Sequence, residues 1–421
     1  MDTLSESPAK VTHALVRLSL YMILISALVR LGASLYLPAL PSMSDDLNLS
    51  ASDISFTMTV YLIAFAAASI LFGPLSDHWG RRILIQGGIA LYLVGSVLCA
   101  FAQGFETLIA GRIVQAAGGS AIPVAIRAMA REAYDDEGMI SVLGWVGAVS
   151  SLVPILAPVL GGLLTQTWGW RINFHLLAAV TLLMGLYAVR NTPETLSEAN
   201  RTPFDIVDTL RTYGSMSVTP AFIVPVIPIL LCFAAQGAYL VGAPFIFVDL
   251  LGMKPAAFGA TSLVLVGALF IGRSACMALF KRHGAYPVYL AGGVPAFLGG
   301  LFFLCILWTG RISIVSILES SALFFLGFGV LVPISMKAGL SVFPKRTGTS
   351  SALFGCLTLS ATAAGSALLG AFLNKTPRDI DFLGLFIFAA GTLILLSVPF
   401  CRRALEEDFK RNRSSQAPAA D

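Results

Sequence analysis

The sequence predicts an all-α membrane protein, and three observations carry that prediction. Apolar stretches of about 20 residues, the length that crosses a bilayer, recur along nearly the whole chain. Charged residues make up only 12% of the 421, about half of the roughly 25% usual in soluble domains. The mean hydropathy is +0.83. Backbone polar groups in lipid must find partners within their own segment, so these stretches read as helices and not strands.

In order, twelve spans are expected, at roughly 15–38, 52–75, 82–102, 105–131, 139–164, 171–190, 219–247, 256–280, 287–308, 312–338, 347–373 and 381–401. The start, Met1 to Lys10, is polar and leads into a run of about 24 residues, too long for a signal-peptide core, so a retained first span is expected. Connections are short except for a polar, charged stretch at 191–218. The expected organisation is therefore a six-helix bundle over 1–190, a linker over 191–218, a second six-helix bundle over 219–403 and a tail over 404–421.

Lysine and arginine set the orientation. With the N-terminus in the cytoplasm, 18 basic residues fall on that side and five outside. Both termini and the 191–218 linker are then expected to be cytoplasmic. The basic residues sit at span ends and form no single patch, and the net charge is only +4, so nucleic acid is not an expected partner. Five of the six cysteines lie in apolar runs and none shows a CxxC spacing, so they read as packing residues and no metal site is expected. The four histidines are scattered. No cluster of His or acid ligands suggests an enzyme, and no re-entrant or filter segment suggests a channel.

The connection between the second and third spans carries the most specific pattern: Gly73-Pro74-Leu75-Ser76-Asp77-His78-Trp79-Gly80-Arg81-Arg82. It must turn sharply and hold charge at the lipid boundary. The second half offers a weak echo in Phe280-Lys281-Arg282-His283-Gly284, where the glycine is kept and the acid is not. Further pieces follow in order: Leu37-Pro38-Ala39-Leu40-Pro41, Arg112-Ile113-Val114-Gln115-Ala116-Ala117-Gly118-Gly119, Arg127 to Tyr134, Ala157-Pro158-Val159-Leu160-Gly161-Gly162, Gly169-Trp170-Arg171 and Pro193-Glu194-Thr195. Together these resemble the major facilitator superfamily. The 73–82 loop is similar to its motif A, with His78 in place of an arginine. Arg112 to Gly119 looks like motif B, and Pro158, Gly161 and Gly162 look like motif C, the antiporter motif. Within the superfamily the chain resembles the drug:proton antiporters of the bicyclomycin/chloramphenicol-resistance type.

The resemblance implies two pseudo-symmetric six-helix bundles working by alternating access around a midplane site. It implies that Asp77 pairs with arginines, with Arg81 and Arg131 available, and helps latch the cytoplasmic side. His78 removes one permanent charge from that latch. Gly144, Gly147, Pro154, Pro158, Gly161 and Gly162 give the fifth span a small, bendable face.

Charges inside the spans point to cargo. An arginine in lipid costs at least about 2.5 kcal/mol, so it must face a cavity or a partner. Ser26, Arg30 and Ser34 share one helical face. Arg30 lies about 12 Å from the outer end of the first span and Arg112 about 10 Å from that of the fourth. The resemblance places both spans on the cavity, so two arginines are expected to look into one space. Related antiporters usually carry an Asp where this chain has Ser34. The remaining acid at matching depth is Glu319 in the tenth span, expected to face Arg30 and Arg112 and to release them on binding proton or substrate. Tyr36, Gln115, Gln236 and Tyr239 are further candidates to line the cavity.

The expected function is proton-coupled export of a small amphipathic, drug-like compound by a monomer in a bacterial inner membrane. Its partners are the substrate, protons and the lipid bilayer. No cofactor is expected, the proton gradient being the energy source. The alternative is transport of an anionic metabolite such as a carboxylate siderophore, in either direction, which the two arginines without a first-span acid favour. A non-transporting sensor is disfavoured by motif C and by the absence of a soluble output domain.

Overall fold

A computed structural model of the chain describes residues 8–201, 203–204, 206–343 and 347–416. Among the described residues there is no strand, and twelve helices are long and apolar enough to cross a membrane. Two further helices are short. In chain order the helices are α1 (Pro8–Ser34), α2 (Leu40–Asp46), α3 (Ala51–Trp79), α4 (Arg81–Ala100), α5 (Phe105–Ala133), α6 (Asp136–Trp168), α7 (Arg171–Asn191), α8 (Ile206–Ser217), α9 (Pro220–Pro244), α10 (Pro255–His283), α11 (Ala285–Thr309), α12 (Ile314–Ser341), α13 (Thr347–Gly370) and α14 (Arg378–Gln416). Lys345 and Arg346, counted above for the orientation, and residues 417–421 of the expected tail lie outside the described residues.

Elements differ from the expected spans where proline or local packing intervenes. The first span breaks into α1 and α2 because the ring of Pro38 has no N–H and would meet the carbonyl of Ser34, so α1 stops there. The ninth helix runs to Pro244 and continues as one wider turn, Phe245–Leu250. The expected linker contains α8, and α14 continues beyond residue 403 to Gln416.

The chain divides into two compact units. The first comprises residues through Ala39 and Ala64–Ile206; the second comprises Leu40–Ile63 and residues from Val207 onward. The unit boundary therefore falls inside α3. In the second unit the N-terminal part of α3 lies on α13, with the hydroxyls of Thr59 and Ser366 2.8 Å apart in the interior.

The two units are built on the same scheme of close helix approaches. In the first, a Cβ added at Gly95 would lie 2.3 Å from the Gln115 nitrogen, and one at Gly118 2.4 Å from that of Tyr92, so α4 and α5 interlock backbone to backbone. In the second, a Cβ added at Gly299 would lie 2.6 Å from the Phe324 nitrogen, and one at Gly327 2.3 Å from the Gly292 carbonyl oxygen, which makes the same seam between α11 and α12. These are the third and fourth spans of each half. Close approach through small residues is how helices associate where lipid removes the usual hydrophobic drive.

Candidate functional site

The turn from α3 into α4 is organised around Arg81. Gly80 enters it at φ +96, a backbone region that side chains disfavour. A Cβ there would lie 2.2 Å from the Glu194 carboxylate. The vacated space lets Glu194 accept the backbone N–H groups of Arg81 at 2.9 Å and Arg82 at 3.3 Å, capping the first turn of α4 from a residue more than a hundred positions away. The Arg81 guanidinium then turns inward. It donates to Asp77 at 2.7 Å, to Ser76 at 2.6 Å, and to Glu132 from Nε at 3.0 Å and Nη2 at 2.7 Å. Thr195 also donates to Glu132. The cation that Asp77 meets is thus Arg81, while Arg131 is exposed one residue before Glu132. His78 and Arg82 are exposed, and Arg82 reaches the Val189 carbonyl at 3.2 Å. Gly73 opens onto free space. At the corresponding turn of the second unit, Gly284 also has a positive φ of 79°, and Lys337 lies 4.1 Å over the Phe280 ring.

Arg112 is fully buried in α5. Its guanidinium lies 4.2 Å from the centroid of the Tyr36 ring and donates to Gln115 Oε1 at 2.6 Å. Gln115 passes its amide to Ser96 at 2.9 Å, and Ser96 donates to the Tyr92 carbonyl at 2.8 Å. A ring face and a side-chain carbonyl replace water around a buried cation. Tyr36, itself fully buried, packs at 5.8 Å on Phe174. Arg30 occupies a different environment: it is exposed on α1, and Ser34 one turn later is half-buried. The two arginines expected to look into one space are therefore one interior and one exposed.

Gly161 explains the geometry beneath Tyr36. A Cβ added to it would lie 1.7 Å from the Leu35 carbonyl oxygen, so α6 lies directly against the end of α1. Pro158 and Gly162 are buried on the same helix. Gly144 and Gly147 have open space around the equivalent position.

In the second unit, Tyr239 is buried on α9 and meets Phe325 edge-on at 5.7 Å. Phe328 lies at 5.8 Å from Phe325 and 5.1 Å from Phe233, making a continuous aromatic wall. Gln236 is half-buried. Glu319 is exposed on α12 and makes no hydrogen bond or ion pair among the described residues of its unit. A charge cluster that sequence reading missed lies at the α13–α14 turn. Lys375, in a left-handed conformation with φ 54°, pairs with Asp45 and with Asp249 at 3.5 Å. The fully buried Asp379 holds this turn by accepting the backbone N–H groups of Asn374 at 3.2 Å and Thr376 at 3.3 Å.

Among the described residues no group of His, Cys, Asp and Glu has the arrangement of a metal site. What the arrangement provides is buried, partnered charge within helices and a glycine-jointed backbone. The family model of the Major Facilitator Superfamily matches residues 22–366. The chain belongs to the Major Facilitator Superfamily. It is 26% identical over 382 residues to multidrug resistance protein D of Escherichia coli strain K12, covering 90% of this chain and 94% of that one. It is 30% identical over 372 residues to a chloramphenicol resistance protein of Pseudomonas aeruginosa, covering 84% and 82%. Solved structures of the same fold include a mutant of the peptide transporter POT, with a TM-score of 0.75 at 17% identity over 92% of this chain and 95% of that one. A D-xylose-proton symporter superposes with a TM-score of 0.68 at 13% identity over 89% and 96%. This superfamily member is thus a multi-pass transporter of the inner membrane with drug-efflux relatives.

Glu132 and Glu194, the partners of Arg81, were visible in the sequence only as parts of the segments Arg127–Tyr134 and Pro193–Thr195. Lys375 and Asp379 carried no signal beyond the turn-forming Pro377.

Proposed function

We propose that this transporter exports small amphipathic, drug-like compounds in exchange for protons, as a monomer without a cofactor, with both termini in the cytoplasm. The observation that carries the reading is the match, along four-fifths or more of the chain, to relatives named for multidrug and chloramphenicol resistance. Within it, the Asp77–Arg81–Glu132 cluster is a cytoplasmic latch, and Glu319 is the group that exchanges the proton. Glu319 suits that role because it lies in a span, makes no ion pair in its own unit and is exposed enough to meet water. The proton gradient supplies the energy.

A second reading, transport of an anionic metabolite such as a carboxylate siderophore, is favoured by one observation. Arg30 is exposed on α1, where contact with lipid would be costly and an anionic cargo would suit it. Flux in proteoliposomes under an imposed pH gradient tests both. Chloramphenicol movement coupled to counter-movement of protons supports the first reading. Gradient-driven movement of a tricarboxylate, with chloramphenicol inert, replaces it with the second.

A further inference from the structure

Helix α8 has two apolar sides, and among the described residues only one of them is packed within the protein. It spans 12 residues, Ile206–Ser217. At about 100° per residue, Tyr213 and Met216 fall on one side. That side packs with Phe222 at the start of α9, with Val342 and Phe343 beyond the end of α12, and with Leu353 and Leu357 in the early turns of α13. Val207 and Leu210 fall on another side and are 63% and 52% exposed. Val218, just past the helix end on the same side, is 77% exposed. Arg211 borders this apolar edge, and Ser215 and Asp208 lie beyond it on the polar arc.

The position of α8 relative to α9 is held by hydrogen bonds. The Thr219 hydroxyl donates to the Ser215 carbonyl at 2.9 Å, its backbone N–H to Met216 at 3.1 Å, and Val218 N–H to Gly214 at 3.3 Å. The docked side meets three spans at their ends, so α8 lies at the level where those spans leave the membrane. At about 18 Å long it cannot cross a bilayer of roughly 30 Å. Three exposed apolar side chains are also too few for a stable protein interface, which takes about 800 Å² from each partner.

We propose that α8 is an interfacial helix whose Val207–Leu210 edge lies in the lipid leaflet at the start of α9, with Arg211 against anionic headgroup phosphates. An amphipathic helix with a basic residue at the edge of its apolar side binds such a surface. The long Arg211 side chain can reach the phosphates while its methylenes stay on the apolar boundary. Under the proposed orientation this is the cytoplasmic leaflet, where anionic lipid is the source of the phosphate. The helix then fixes the depth of the chain segment that joins the two halves.

The test uses the full chain in nanodiscs with the two non-buried cysteines, Cys305 and Cys356, replaced by serine. A nitroxide is placed by Leu210→Cys or, separately, by Ser215→Cys. Collision with oxygen, which concentrates in lipid, is compared with collision with a water-soluble nickel chelate. The Leu210 label is expected to favour oxygen and the Ser215 label nickel. Arg211→Glu is expected to reduce the oxygen preference at Leu210 in phosphatidylglycerol discs and to leave it unchanged in phosphatidylcholine discs. Equal nickel access at both sites overturns the proposal in favour of a solvated helix. A Leu210 label shielded from both reagents, or broadened by a label on a second copy, overturns it in favour of a protein partner. An oxygen preference indifferent to Arg211→Glu in both lipids overturns the phosphate contact.

Discussion

Arg81 grips Glu132 with two nitrogens, Nε at 3.0 Å and Nη2 at 2.7 Å, and touches Asp77 with the third. The Arg81 side chain is 6% exposed, Glu132 23% and Asp77 50%. Glu132, not Asp77, is then the stronger support, because a two-point contact with the less exposed carboxylate is screened less. Glu132→Ala is expected to destabilise the protein by on the order of 3 kcal/mol, since it leaves a buried guanidinium poorly compensated. Asp77→Asn is expected to cost about 1 kcal/mol or less. Thermal unfolding of the purified variants in detergent reads the difference, and equal losses would contradict it.

Gly161 lies against the Leu35 carbonyl, so Gly161→Ala forces α6 away from the end of α1. Overpacking of this kind costs about 1–3 kcal/mol, and here the obstacle is backbone. Gly144→Ala and Gly147→Ala, which meet nothing within 4 Å, are expected to keep wild-type stability. Transport and melting temperature should fall only for the first.

The Tyr36 ring covers the Arg112 guanidinium. Tyr36→Phe keeps the ring face and is expected to retain folding, whereas Tyr36→Ala uncovers the cation and leaves a cavity beside Phe174. A loss of about 3 kcal/mol is expected for the alanine variant. Yield of folded protein from membranes, measured by size-exclusion chromatography, separates the two.

Glu319→Gln preserves size and removes the titration. Drug accumulation driven by a pH gradient is expected to be lost, while binding of the drug to purified protein is kept. Full gradient-driven transport by this variant would remove Glu319 from the coupling reaction.

Tyr134, between the spans α5 and α6, donates to the Leu15 carbonyl at 2.8 Å and lies 2.8 Å from the Ser19 hydroxyl. Burial pushes its phenol above the ordinary 10.0, with the Ser19 hydrogen bond pulling the other way. A raised folded pKa means that the neutral phenol stabilises the fold below pH 10 and that this contribution is lost as pH rises through the folded value. Tyr134→Phe is expected to cost about 1 kcal/mol at neutral pH and to flatten the alkaline fall in melting temperature.

The spans were legible because lipid forces a length and a composition on them, and the α3–α4 turn was legible because Gly80 and Arg81 answer local demands of a sharp, charged bend. Partners were less so. Glu194 caps α4 from across the unit, and no local pattern announces a contact between residues 81 and 194. Arg30 and Arg112 read as equivalent by depth, yet depth along a helix does not say which way its side chain turns. The packing of α4 and Tyr36 takes Arg112 inside, whereas Arg30 stays exposed on α1. The break after Ser34 was written in Pro38 and Pro41, but a continuous apolar run masked it. Lys375 depends on a left-handed turn held by Asp379, a long-range fact with a weak local trace.

The seam between α4 and α5 also bears on how the chain is made. Helix α5, the fourth of the twelve spans, holds Arg112 and is the least apolar of them. An arginine within an isolated helix opposes entry from the translocon into lipid, by up to about 2.5–3.5 kcal/mol at the helix centre. α4 emerges first, and Gly88 and Gly95 leave a groove along it that fits the α5 backbone. The two helices are suited to leave the insertion machinery as a hairpin, with Gln115 and Ser96 already meeting Arg112. Filling that groove would then be felt first at birth, as α5 left stranded in the aqueous channel, before any effect on the finished transporter.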